Sequence, residues 1–196
     1  LRVSGDNETG LILMRLGIAG ARAGKLLKGD SRDFIAVTAD SYPFEGTAQS
    51  TVLLFDSAEL VAKRPAQGER LVSMLNDGLT PIPMVPQVKA TGFGRAMAGG
   101  ADLTGDLVPD LVVSAPGASV NGDGNGAVFI FAGGSVVPGR NEPAGLVLSD
   151  DQERANFGVD LGVVKKSATT PASLVVGAPL SYRAGTSNGT AYSASF

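Results

Sequence analysis

The feature that most constrains this chain is that it repeats itself. Phe93-Gly94 returns as Phe157-Gly158, 64 residues later, and Val112-Val113-Ser114-Ala115-Pro116 returns as Val175-Val176-Gly177-Ala178-Pro179, 63 residues later. Asn125-Gly126-Ala127-Val128-Phe129 has a counterpart in Asn188-Gly189-Thr190-Ala191-Tyr192. A more decayed copy comes first: Leu16-Gly17, then Ala36-Val37-Thr38-Ala39-Asp40, then Thr51-Val52-Leu53-Leu54-Phe55. Spacing kept across several landmarks marks one supersecondary module used again, not chance similarity. The spacing predicts three units, 1–80, 81–150 and 151–196.

Each unit holds short apolar runs broken by turn residues, and the chain carries 27 Gly and 11 Pro with no collagen or linker period. That pattern predicts an all-β fold rich in turns. Expected strands include Leu11 to Ala19, Leu71 to Leu75, Leu111 to Ser114, Ala127 to Phe131 and Leu146 to Leu148. Pro65 and Gly68 argue against a continuous helix between Leu60 and Asn76, and Thr80 to Pro86 reads as an extended connector. Ser149 to Arg154 reads as a solvated acidic connection, and Asn121 to Gly126 as a hairpin turn. Gly99, Gly100 and Ala101 permit close approach of a neighbouring backbone. Pro116 and Pro179 end their strands because proline has no N–H for a further ladder bond.

The chemically informative stretch is the loop Asp102 to Asp110. Asp102, Asp106 and Asp110 stand at relative positions 1, 5 and 9, with the Thr104 hydroxyl at 3 and the Val108 carbonyl at 7. Hard oxygens at alternate positions of a tight coil suit calcium, which takes six to eight of them. The plain alternative is a polar turn with solvated carboxylates. The corresponding loops of the other units do not share the pattern. Lys28 to Asp33 opens on a lysine and has two aspartates, and Lys165 to Pro171 has no carboxylate. Calcium is expected in the middle unit alone. Lys28-Gly29-Asp30 also spells a tripeptide that integrins recognise, a pattern that arises often by chance.

The residues Phe93-Gly94, Asp102 to Asp110, Ala115-Pro116 and Gly126 to Phe131 together resemble the FG-GAP repeat. That repeat is the blade unit of the integrin α-subunit β-propeller and of many bacterial surface proteins. The resemblance implies a propeller of such blades, with a structural calcium between the first two strands. It also implies a role in adhesion or protein recognition through loops at one end of the ring. Thr104 stands where the family has Asn or Asp, and Leu107 where it has Gly. A left-handed backbone strains leucine by about 1–2 kcal/mol, so binding is expected to be weak, at about 0.1–1 mM.

Three blades do not close a ring, since propellers have about four to eight. The chain therefore reads as a partial ring or a segment of a larger propeller. The expected partners are further blades, from the same precursor or another subunit, and a protein or glycan ligand. The third unit stops short of an outer strand, and the start at Leu1 reads as a processed or truncated product. The expected setting is extracellular or cell-surface. Asn7 and Asn188 lie in glycan-acceptor patterns.

Composition narrows the function classes. There is no His and no Cys, which removes Ser-His-Asp catalysis, His/Cys zinc sites and thiol chemistry. A non-enzymatic protein is expected. Net charge is −3 with no basic stripe, so nothing draws it to nucleic acid. No apolar run reaches the length of a membrane helix. A carbohydrate-binding module, or an accessory domain of a larger secreted enzyme, is the alternative. It is weakened by the absence of Trp and by a total of three Tyr.

Overall fold

The computed structural model describes residues 2–4, 15–44, 47–63, 71–73, 78–86, 90–137, 146–167, 169–182 and 189–196. Along the chain run β1 (Arg2–Ser4), β2 (Arg15–Gly24), β3 (Phe34–Phe44), β4 (Thr47–Asp56), α1 (Ser57–Ala62), β5 (Leu71–Ser73) and β6 (Ile82–Met84). Then come β7 (Met97–Ala101), β8 (Asp110–Ala115), β9 (Ala127–Phe131), β10 (Leu146–Ser149), β11 (Leu161–Val164), β12 (Ser173–Ala178) and β13 (Thr190–Ser195).

The strands form three antiparallel sheets in sequence order: β2-β3-β4-β6, β7-β8-β9-β10 and β11-β12-β13, with a separate parallel pair β1-β5. The fold is all-β, built from successive blade-like sheets. β8 and β12 both stop at the alanine before a proline, as the missing N–H requires.

The sheets stack face to face, and the middle one is buried on both sides. Successive strand residues point to opposite faces, so one strand can serve two cores. Leu111, Val113 and Ala115 of β8 and Ala127, Phe129 and Phe131 of β9 join Phe34, Ala36, Val52 and Leu54 of the first sheet. Val112, Val128 and Ile130 join Leu174, Val176 and Ala178 of the third sheet. This explains why β8 and β9 read as unbroken apolar runs. Each fully buried large side chain contributes about 1.5–3 kcal/mol. Phe93 sits in the first core, edge-on to Phe129 at 5.6 Å, and Phe157 in the second, edge-on to Tyr192 at 5.3 Å.

Several expectations are corrected. The first strand of the first sheet is described over Arg15–Gly24, reaching five residues past the expected end at Ala19, and much of it is exposed. Residues 11–14 lie outside the described residues. Leu71–Ser73 is a strand, but it pairs in parallel with Arg2–Ser4 and not with the first sheet. The proline-rich connector is instead that sheet's fourth strand: Ile82, Pro83 and Met84 pair with Leu54, Leu53 and Val52. Pro83 is tolerated because β6 is an edge, where one side needs no ladder donor. Residues 82–84, assigned by the repeat spacing to the second unit, thus belong by pairing to the first sheet.

A helical turn was also missed. Asp56 caps α1 by accepting from the amides of Ala58 and Glu59, and Leu60 packs on Leu53 and Phe55. The helix ends at Ala62, ahead of Pro65 and Gly68.

The connection after β10 is not simply solvated. Asp150 is buried; it takes the Tyr192 hydroxyl at 2.6 Å, and its carbonyl takes the Asn125 side-chain amide at 2.6 Å. Burial works to raise the Asp150 pKa, but hydrogen bonds led by that from Tyr192 outweigh it and hold the carboxyl below its ordinary 3.8. This network fastens the second sheet to the third. Asn125 also accepts from the Val120 amide, and Gly124 and Gly126 have positive φ, so Asn121 to Gly126 is the hairpin turn expected. Among the described residues the third sheet has three strands.

Candidate metal centre

The loop between β7 and β8 brings the three predicted carboxylates together. One oxygen each from Asp102, Asp106 and Asp110 lies within 4.8 Å of the others. The loop is coiled by its own aspartates. Asp102 accepts from the amides of Gly105 at 2.7 Å and Leu107 at 3.0 Å, and Asp106 accepts from that of Val108 at 2.8 Å. These local side-chain bonds replace ladder bonds and let a short segment wind tightly.

Asp110 is the anchor. As the first residue of β8 it is buried, and it accepts from the amides of Leu103 (2.7 Å), Thr104 (2.8 Å) and Gly133 (2.9 Å). Thr104 Oγ1 donates to it at 3.2 Å. Burial still pushes its carboxyl above 3.8 against these bonds, with the nearby Asp106 charge adding to the rise. Two acidic groups held close, one of them desolvated, make a pocket of unbalanced negative charge.

The donor set fits a hard cation. A hydroxyl has one proton and two lone pairs, so Thr104 can donate to Asp110 and still offer an oxygen. Asp102 and Asp106 are more open than Asp110, giving a path in from solvent. Leu107 occupies the expected left-handed position, with φ +67°, and is 91% exposed.

The first loop answers its charge differently. Arg32 donates to Asp30 through its backbone amide, Nε and Nη2, and reaches Asp56 at 3.4 Å. Its guanidinium carbon lies 5.1 Å from the Phe34 ring centroid. Arg32 holds the Asp30 carboxyl below 3.8. Counting back from Ala39 and Ala115, Phe34 stands where Asp110 stands, so this loop lacks the buried anchor and carries its own cation. The Asp30 of the Lys28-Gly29-Asp30 tripeptide is engaged in the same pair. In the third unit, Lys165 reaches back to lie against Gly100, close to the acidic loop in sequence.

Sequence reasoning missed two contributors. Asp56 comes from a different strand, so loop spacing carries no sign of it. Gly133 was signalled only by the Gly133-Gly134 pair; a side chain there would meet Val108 at 2.4 Å and the Pro109 carbonyl at 2.6 Å. Asn7 and Asn188, the glycan-acceptor positions, lie outside the described residues.

Residues 93–131 match the family model of the FG-GAP repeat. The match opens on Phe93 and closes on Phe131, and so takes in β7, the acidic loop, β8 and β9. No curated protein matches the chain. FG-GAP repeats form β-propeller blades, and the three stacked sheets agree with that architecture.

Proposed function

We propose that this chain is a non-enzymatic propeller segment, pinned by one calcium ion in its middle blade, that serves adhesion or protein recognition outside the cell. Asp102, Thr104, Asp106, the Val108 carbonyl and Asp110 are its ligands. The observation that carries the reading is the convergence of three carboxylates on one loop, with Asp110 desolvated. The ion would neutralise that charge and lock the turn joining two inner strands, a structural task. Leucine at the left-handed position is consistent with affinity of about 0.1–1 mM, matched to calcium-rich extracellular fluid. Recognition then falls to the loops, since sheets carry the stability and loops the variable surface. Further blades, of the same precursor or another subunit, are the partners at the sheet faces.

Thermal unfolding with and without calcium tests the metal. Calcium is expected to raise Tm of the native chain and to leave that of Asp106→Ala unmoved. Among the described residues Asp106 accepts a single hydrogen bond, from the Val108 amide, so its loss costs little without the ion. No calcium shift in the native chain ends the metal reading.

A further inference from the structure

We propose that Asn121 is a site of spontaneous deamidation, converted in the folded protein to aspartate and isoaspartate, while Asn125 in the same turn is kept intact by the fold. The proposal uses neither the metal nor a loop ligand, so its failure leaves the calcium reading untouched.

The chemistry is local to an asparagine and the residue after it. The backbone nitrogen of that residue attacks the side-chain carbonyl carbon of the asparagine. A nitrogen–carbon bond forms, the bond to Nδ2 breaks, and Nδ2 leaves as ammonia, taking up the proton of the attacking amide. Water then opens the succinimide at one carbonyl or the other, leaving aspartate or β-linked isoaspartate. Nothing is oxidised or reduced. Glycine in the second place favours the attack, because it has no Cβ to shield the nitrogen and its backbone turns freely. The chain has Asn-Gly pairs at 121–122, 125–126 and 188–189, and Asn188 lies outside the described residues.

The fold treats the first two pairs oppositely. Asn121 is exposed in the turn between β8 and β9, and its one side-chain bond among the described residues is from Nδ2 to Ser149 Oγ. That bond holds the leaving nitrogen and leaves the carbonyl carbon open. Among the described residues the Gly122 amide, the attacking group, donates to no acceptor. The nearest atom to its missing Cβ is Glu153 Cγ at 3.2 Å, part of a flexible side chain.

Asn125 is fully buried. Its Oδ1 accepts from the Val120 amide at 3.1 Å and its Nδ2 donates to the Asp150 carbonyl at 2.6 Å. The Gly126 amide that would attack is itself engaged, donating to the Ala118 carbonyl at 2.9 Å. A Cβ at Gly126 would stand 2.3 Å from the Phe157 carbonyl, so the backbone there has no room to turn. Reaction at Asn125 therefore waits on local unfolding of the junction between the second and third sheets.

Conversion of Asn121 adds one negative charge to a turn that already carries Asp123 and lies against Glu153. It also removes the donor to Ser149. The modified chain is thus an acidic variant altered at the edge of the contact with residues 149–154.

Tandem mass spectrometry of peptides from the whole chain, aged at neutral pH and body temperature, tests this. The amide-to-acid mass change is expected at Asn121 and not at Asn125. In urea both are expected to convert at similar rates, since the fold no longer separates them. Isomerisation at Asp123-Gly124 leaves the mass unchanged and is not mistaken for either. Gly122→Ala adds the shielding Cβ where φ lies outside the left-handed region, and is expected to slow conversion of Asn121 several-fold, folded or in urea. An Asn121 that stays intact in the folded chain while the unfolded chain converts overturns the proposal. So does an Asn125 that converts as fast as Asn121 in the folded chain, or a Gly122→Ala chain that converts at the native rate.

Discussion

The residue that best separates backbone from side-chain effects is Leu107. It is left-handed and exposed, so Leu107→Gly relieves strain without losing packing and is expected to stabilise the chain by about 0.5–1 kcal/mol in chemical denaturation. Asp110→Ala acts the other way. It orphans the amides of Leu103, Thr104 and Gly133, and at about 1–3 kcal/mol for each the loss should reach at least about 3 kcal/mol with or without calcium. Tyr192→Phe removes a hydroxyl donor from Asp150 and is expected to cost about 1.5 kcal/mol at neutral pH. The sign with pH follows from the depressed carboxyl. Its contribution is present above 3.8 and is lost as pH falls through the folded value, so native and variant stabilities should converge in acid. The clustering of the aspartates was legible in sequence because all three lie in one short loop. The burial of Asp150 was not, because its partner Tyr192 lies 42 residues away and nothing nearby announces it.

At the scale of elements, three glycines form a natural series. Gly17, Gly94 and Gly158 share a left-handed backbone, so alanine strains each by about 1–2 kcal/mol. The last two substitutions also drive a methyl into the sheet before them, which overpacking raises by a further ~1–3 kcal/mol. Urea unfolding should therefore rank Gly17→Ala well below the other two in cost; equal losses would mean that the sheets facing Gly94 and Gly158 accommodate a methyl freely. Strands buried on both faces, β8 and β9, could be read from unbroken apolar runs. β6 could not, because Pro81 and Pro83 disguise an edge strand as a connector. α1 could not either, since six residues carry little helical periodicity and its formation rests on the Asp56 cap.

For the whole molecule, the stack sets a gradient of protection. β8 and β9 have cores on both faces and should exchange amide hydrogens most slowly, while β11 and β13, the edge strands of the third sheet and exposed at alternate residues, should exchange faster than β12 between them. Uniform exchange across the three sheets would mean that they open as one unit. The repeat made this stacking legible in advance, but which faces are covered depends on the helix and on side chains far apart in sequence. Arg32 and the calcium proposed for the second loop also differ in a way that dilution reveals. Arg32 is tethered two residues from Asp30, so its effective concentration is fixed by the chain and no chelator lowers it. A calcium ion at Asp102 to Asp110 would come and go with its supply. A calcium-poor fluid would then loosen the middle of the stack first, leaving the first sheet as a standing template on which the rest re-forms when the ion returns.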